Sequence, residues 1–173
     1  MNEKRRKSMA KDNITYSGFI SLPDGKDSAA DRQEGQLIFS DHAFTMEYEK
    51  KVNRLATPID ISLCSDGAPR YRIDAIWDTG SVTSCISESM ARKMGLQPAM
   101  SGVGVTAAGQ LDISYYFLDI HISEDMVFHN VKVAGFPLER HDVDFLIGMD
   151  IISKGNLQVK TADGRTTVLF ETK

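Results

Sequence analysis

Beyond residue 55 the chain alternates short apolar runs with turn-forming residues, the rhythm of an all-β barrel or sandwich. Residues 58–64 put Ile59, Ile61 and Leu63 on one face, Asp66-Gly67 supplies a turn, and residues 71–77 return, so the pattern predicts a hairpin that ends at Asp78. Residues 82–86 form another apolar run. Ser87 then precedes residues 88–94, which read as a short helix capped by the Ser87 hydroxyl and stopped at Gly95. Residues 103–107 and 111–122 flank Ala108-Gly109 as a second, longer hairpin, and residues 127–134 continue the sheet. Residues 143–147 lead into a Gly148-Met149-Asp150 turn and a brief helical patch to about Ser153. Residues 157–161 and 166–170 close the chain around Asp163-Gly164.

The texture before residue 55 is different. Residues 1–12 are highly charged and residues 23–35 are rich in Asp, Gly, Ser and Ala, so both read as loops. Residues 14–22 and 36–48 carry enough β-branched and aromatic side chains to be two strands of a hairpin with a long loop. The expected organisation is an N-terminal extension over residues 1–54, a charged tail plus hairpin, followed by one folded domain over residues 55–173.

Length and charge narrow the function classes. At 173 residues the chain can bury a core without disulfides or metals, but it is too short for two such lobes. A net charge of -4 gives no footprint for nucleic acid, and no aromatic residues interleave with the basic start Lys4-Arg5-Arg6-Lys7, which reads as a solvated tail. No apolar stretch approaches bilayer length and no secretory core follows that cluster, so a cytoplasmic protein without membrane association is expected. Cys64 and Cys85, the two cysteines, are expected to be small buried hydrophobes, with a disulfide between them as the alternative.

The candidate chemistry sits at Asp78-Thr79-Gly80-Ser81, directly after Ala75-Ile76-Trp77. A carboxylate at the end of an apolar strand, followed by a glycine turn, is an arrangement that folding alone rarely requires. Two carboxylates held too close to ionise together share one proton, and the pair serves as base towards water and acid towards a carbonyl. One Asp cannot do this, and no second Asp-Thr-Gly or Asp-Ser-Gly is present in the sequence, so if Asp78 is half of such a pair its partner comes from a second copy of the chain.

Taken with Phe145-Leu146-Ile147-Gly148-Met149-Asp150, the order of elements resembles the retropepsin-like aspartic proteases, in particular their small single-domain, non-viral, bacterial-type members, over about residues 55–170. The resemblance implies a closed β-barrel with one or two short helices and one catalytic lobe per chain. It implies a homodimeric aspartic endopeptidase acting on peptide or protein substrates, with Asp78 and its symmetry mate as the catalytic pair and no cofactor or metal. Thr79 would bond across the interface, Gly80 would let the backbone approach the carboxylates, and Ser81 would donate to the outer oxygen of Asp78. Ala107, Ala108, Gly109 and Gln110 would form the tip of a flap that closes over substrate. Ile147 would line the cleft with Ile76, Val103 and Val105, and Gly148 would let a turn pack beneath the catalytic loop. Where viral relatives carry an ion pair, Val82 and Met149 stand, a double replacement that fits an apolar contact.

Other constellations are weaker. His42, His121, His129 and His141 lack ligand spacing, Gly102-x-Gly104 lacks the Lys and helix of a phosphate loop, and Ser84, Cys85 and Ser87 have no visible general base. Trp77 reads as a packing residue beneath the turn. The rival reading is a catalytically silent module of the same fold that dimerises or binds peptides. A related reading makes the N-terminal extension a self-processing site.

Overall fold

A computed structural model describes residues 13–19, 32–40, 42–106, 109–138 and 143–172. In chain order the elements are β1 (Asn13–Phe19), β2 (Arg32–Ser40), β3 (Ala43–Tyr48), β4 (Ala56–Ser62), β5 (Tyr71–Trp77), β6 (Cys85–Ser87), α1 (Glu88–Lys93), β7 (Met100–Thr106), β8 (Gly109–His121), β9 (Val127–Phe136), β10 (Phe145–Ile147), α2 (Met149–Ile152), β11 (Gly155–Ala162) and β12 (Arg165–Thr172).

One sheet has the order β4-β5-β10-β6-β9-β8-β7, and β4 also pairs with β8, so six of its strands close on themselves with β7 hanging from β8. This is the closed barrel expected from the sequence. Closure explains why β4 does not alternate cleanly. Ile59 and Ile61 face the core, yet Thr57 and Ser62 are buried too: Thr57 Oγ1 accepts from Trp77 Nε1 at 2.9 Å, and Ser62 Oγ lies 2.9 Å from His121 Nε2. α1 forms where predicted, with Ser87 Oγ accepting from the Met90 N–H at 3.1 Å and Gly95 leaving the helix at φ 69°.

The second sheet has the order β1-β2-β3-β12-β11 and is antiparallel throughout. β1 and β2 pair as the expected hairpin, but residues 36–48 are not one strand. They hold the end of β2 and all of β3, reversing at His42, whose φ of 61° is a left-handed turn conformation uncommon outside glycine. The β11–β12 hairpin turns through Asp163 and Gly164, both at positive φ, as in a two-residue type I′ turn.

The two sheets share one core. Leu37, Phe44, Met46, Tyr48, Val168 and Phe170 from the five-stranded sheet pack with Ile59, Ile61, Trp77, Ile86, Leu118, Phe145 and Ile147 from the barrel. Trp77 is the hinge of this packing, its ring 5.5 Å from Phe44 and 4.9 Å from Phe170. It is the packing residue the sequence suggested. Both cysteines are free thiols; Cys85 is buried, but Cys64 is exposed, because it lies past the end of β4 and beyond the cover of the barrel.

Candidate active site

The Asp-Thr-Gly turn is suspended between two buried strands. β5 runs parallel to β10, with Trp77 opposite Ile147, and the Asp78 N–H donates to the Ile147 carbonyl at 2.9 Å. The strand therefore stays anchored up to the residue that leaves it. Asp78 is partly buried, Thr79 and Gly80 are exposed, and the Gly80 N–H donates to Asp78 Oδ1 at 2.8 Å. A Cβ on Gly80 would sit 3.1 Å from that oxygen, so the residue's bareness lets the turn fold over its own carboxylate.

Ser81 does not make the predicted bond to Asp78. Its hydroxyl donates to the Thr83 carbonyl at 2.7 Å and lies 3.8 Å from Cys85 Sγ, because the turn curls the side chain back towards β6. Burial pushes the Cys85 thiol up to about 11; the Ser81 hydroxyl opposes that rise, and the charges of Asp150 and Asp78 add to it. The thiol is thus protonated and unreactive at neutral pH.

The loop is clamped from below by the β10–α2 turn. The Met149 N–H donates to Ser81 O at 2.8 Å and the Asp150 N–H to Val82 O at 3.1 Å. Ser84, fully buried, donates its N–H to Asp150 Oδ2 at 3.0 Å and its hydroxyl to Asp150 Oδ1 at 2.7 Å, while accepting from the Gly148 N–H at 3.0 Å. Gly148 meets the prediction of close packing: a Cβ there would lie 2.7–2.9 Å from the backbone of Thr83 and Ser84. Sequence reasoning named Asp150 within the Gly148-Met149-Asp150 turn and Ser84 as a serine without a general base, but not their contact, since the two sit far apart in the chain.

Beside Asp78 opens a groove of about 460 Å³, bordered by Gly80, Ser81, Val82 and Thr83 on one side and by Val103 to Thr106 of β7 on the other. Its floor carries Ile113, Tyr115, Phe136 and Leu146. Val103 and Val105 line it as expected. Ile147 does not: it is wholly buried in the main core, and Leu146 faces the groove instead, because alternation along β10 sends Phe145 and Ile147 inward. Ile76 also stays outside the lining. At the far end of β7, Gly109 opens β8 at φ 123° and Gln110 is exposed opposite Val105; Ala107 and Ala108 lie outside the described residues.

Val82 is 81% exposed and Met149 36% exposed, side by side through the loop-to-turn hydrogen bonds, and Val103 and Val105 are exposed as well. The two replacements are thus surface apolar side chains within one chain. Among the described residues no group of three or more His, Cys, Asp or Glu side chains could hold a metal ion, and no helix is long and apolar enough to cross a membrane.

A closed barrel that presents one Asp-Thr-Gly turn over a glycine-packed clamp defines a class, the retropepsin-like aspartic proteases with one lobe per chain. A family model described as Aspartyl protease matches residues 61–151, just over half of the sequence, and the chain belongs to that family. No curated protein sequence matches significantly. Among solved structures, a retropepsin-like aspartic protease from Rickettsia conorii is similar at 12% identity, with 96% of this chain and 99% of that one covered and a TM-score of 0.43. The retroviral protease-like domain of Ddi1 from Leishmania major is similar at 17% identity, covering 69% and 95%, with a TM-score of 0.41. The simian foamy virus (mac) protease is similar at 16% identity, covering 56% and 92%, with a TM-score of 0.38.

Proposed function

We propose that the protein is a homodimeric aspartic endopeptidase whose catalytic pair is Asp78 and its symmetry mate. The observation that carries this reading is the placement of one partly buried carboxylate at the mouth of an apolar groove, next to exposed Val82 and Met149. Half of a dyad and an apolar surface fit for a second copy lie together, as an isologous interface requires. The paired carboxylates would share a proton, activate a water for attack on the scissile carbonyl and return the proton to the leaving amine, with no covalent intermediate. Thr79, exposed at the turn, would bond across the two-fold axis. The β7–β8 hairpin, with Ala107, Ala108, Gly109 and Gln110 at its tip, would close over an extended peptide laid along the groove.

Residues 55–173 would form the peptidase part, and residues 1–54 a retained extension. The support for retention is that Leu37, Phe44, Met46 and Tyr48 belong to the main core and β3 pairs with β12. Self-processing is therefore proposed only for the segment before β2. Mass spectrometry of protein incubated in acid should find new termini only before residue 32; cleavage within β2 or β3 would contradict retention.

The deciding experiment is cleavage of a peptide library at several pH values by wild type and by Asp78→Asn, with sedimentation of the same samples. Wild type should cleave as a dimer and Asp78→Asn should not cleave at all. Equal cleavage by both would sink the aspartic mechanism, activity in a strict monomer would sink the shared site, and silence from both would favour a peptide-binding module.

A further inference from the structure

We propose that Asp150 is a positioning residue of the catalytic turn, acting through Ser84; the role rests on the peptidase reading given above. Asp150 is the second residue of α2, four residues of chain after Leu146 at the groove, and its carboxylate is spent on the loop that follows Asp78. Both oxygens are taken: Oδ2 by the Ser84 N–H at 3.0 Å, and Oδ1 by the Ser84 hydroxyl at 2.7 Å and by the Ile151 N–H at 3.0 Å. Ser84 in turn receives the Gly148 N–H on its hydroxyl and the Ala134 N–H on its carbonyl, at 3.0 and 2.9 Å. One wholly buried serine thereby joins the catalytic loop to the β10–α2 turn and to β9, whose Ala134 and Phe136 line the groove.

The residue types follow from donor arithmetic. Because the Ser84 hydroxyl accepts from Gly148, its own proton must find an acceptor elsewhere. Three donors then reach position 150: the Ser84 N–H, the Ser84 hydroxyl and the Ile151 N–H, the last shared with the Gly148 carbonyl at 3.1 Å. An ionised carboxylate only accepts and satisfies all three. An asparagine has one oxygen, so in either orientation its amide hydrogens would face at least one donor. Alanine would leave the Ser84 N–H buried without an acceptor, the costly case for a polar group. The consequence for the site is geometric. Ser84 lies six residues after Asp78, and the intervening carbonyls of Ser81 and Val82 are held by the N–H groups of Met149 and of Asp150 itself. Loosening Asp150 would free the loop at its far end while the Asp78 N–H stayed fixed to Ile147, so Asp78 could tilt without leaving its strand.

The test compares Asp150→Ala, Asp150→Asn, Ser84→Ala and the Asp150→Ala/Ser84→Ala double variant with wild type, each checked for fold by circular dichroism and for dimer by sedimentation. Since a misplacement near 1 Å can cost about 100-fold in rate, Asp150→Ala should lose about 10- to 100-fold in kcat with KM changed less than about threefold. Asp150→Asn should fall between it and wild type, and the double variant should be no worse than Asp150→Ala. Amide hydrogen exchange over residues 81–85 should quicken at least about tenfold in Asp150→Ala while that of β8 stays unchanged, a readout of local opening that needs no activity. Unchanged exchange over residues 81–85 would overturn the proposal, as would a kcat within twofold of wild type in folded Asp150→Ala. A loss that tracks only the unfolded fraction, or equal loss in Asn and Ala variants, would also overturn it. Wild type without Asp78-dependent cleavage would instead sink the peptidase reading, and the exchange measurement would still decide the role of Asp150 in holding the loop.

Discussion

Trp77 and Asp78 are neighbours in sequence, yet they belong to opposite sides of the molecule. Trp77 closes an aromatic cluster with Phe44 and Phe170 that welds the five-stranded sheet to the barrel. Asp78 faces a groove lined by a second, smaller cluster built on Cys85, Ile113 and Ala134, with Tyr115, Phe136 and Leu146 only partly buried against it. The first side is closed by interdigitated rings and holds the fold. The second is held by hydrogen bonds between loops and leaves apolar surface uncovered. If the proposed function holds, stability and chemistry should be separable by substitution one residue apart.

The largest break in that comparison should come from the closed side. Phe170 is wholly buried, so Phe170→Ala should lower stability by about 3–5 kcal/mol in urea unfolding, as large aromatic truncations do. A loss below about 1 kcal/mol would show that the two sheets are not energetically joined there. Gly148→Ala tests the seam between the sides. Its Cβ would press on the backbone of Thr83 and Ser84, so a loss of about 1–3 kcal/mol is expected from overpacking, together with weaker cleavage at temperatures where the variant is folded. Full activity in a destabilised Gly148→Ala would separate the clamp from the chemistry.

The smallest effect concerns pH. His121, at the β4–β8 closure, has Nε2 on Ser62 and a buried Nδ1 with no hydrogen-bond partner among the described residues. Burial and the Arg70 charge hold its pKa below the ordinary 6.5, against the opposing charges of Asp119 and Asp60. A histidine with a depressed folded-state pKa contributes stability that is present above the unfolded value and lost as pH falls through the folded one. Below about pH 6.5 the melting temperature of wild type should therefore fall more steeply than that of His121→Gln. Parallel slopes for the two proteins would refute the assignment.

Much of the barrel was legible because its signals are local. β5 has a burial pattern that follows its alternation, and Ser87 caps the six-residue helix α1 by accepting from the Met90 N–H, three positions on. What escaped has a physical reason in each case. β10 has three residues, too few for a period to say which side faces the groove, so Ile147 was assigned the place that Leu146 holds. The Ser81 hydroxyl is taken by the Thr83 carbonyl, a local backbone acceptor that the motif does not reveal. The Ser84–Asp150 contact joins residues that only the folded chain brings together, and the turn at His42 hides in a residue that carries a side chain where glycine would have announced it.

β7 has one further consequence. A Cβ on Gly102 would lie 2.8 Å from the Tyr115 ring and one on Gly104 would lie 2.7 Å from that of Phe136, while Val103 and Val105 point to the opposite, exposed face and border the groove. Heritable change on this strand is thus sorted by position: at 102 and 104 any side chain would press on an aromatic ring, whereas Val103 and Val105, more than half exposed, meet no such limit. A lineage could retune its preferences through residues 103 and 105 without disturbing how the strand is seated.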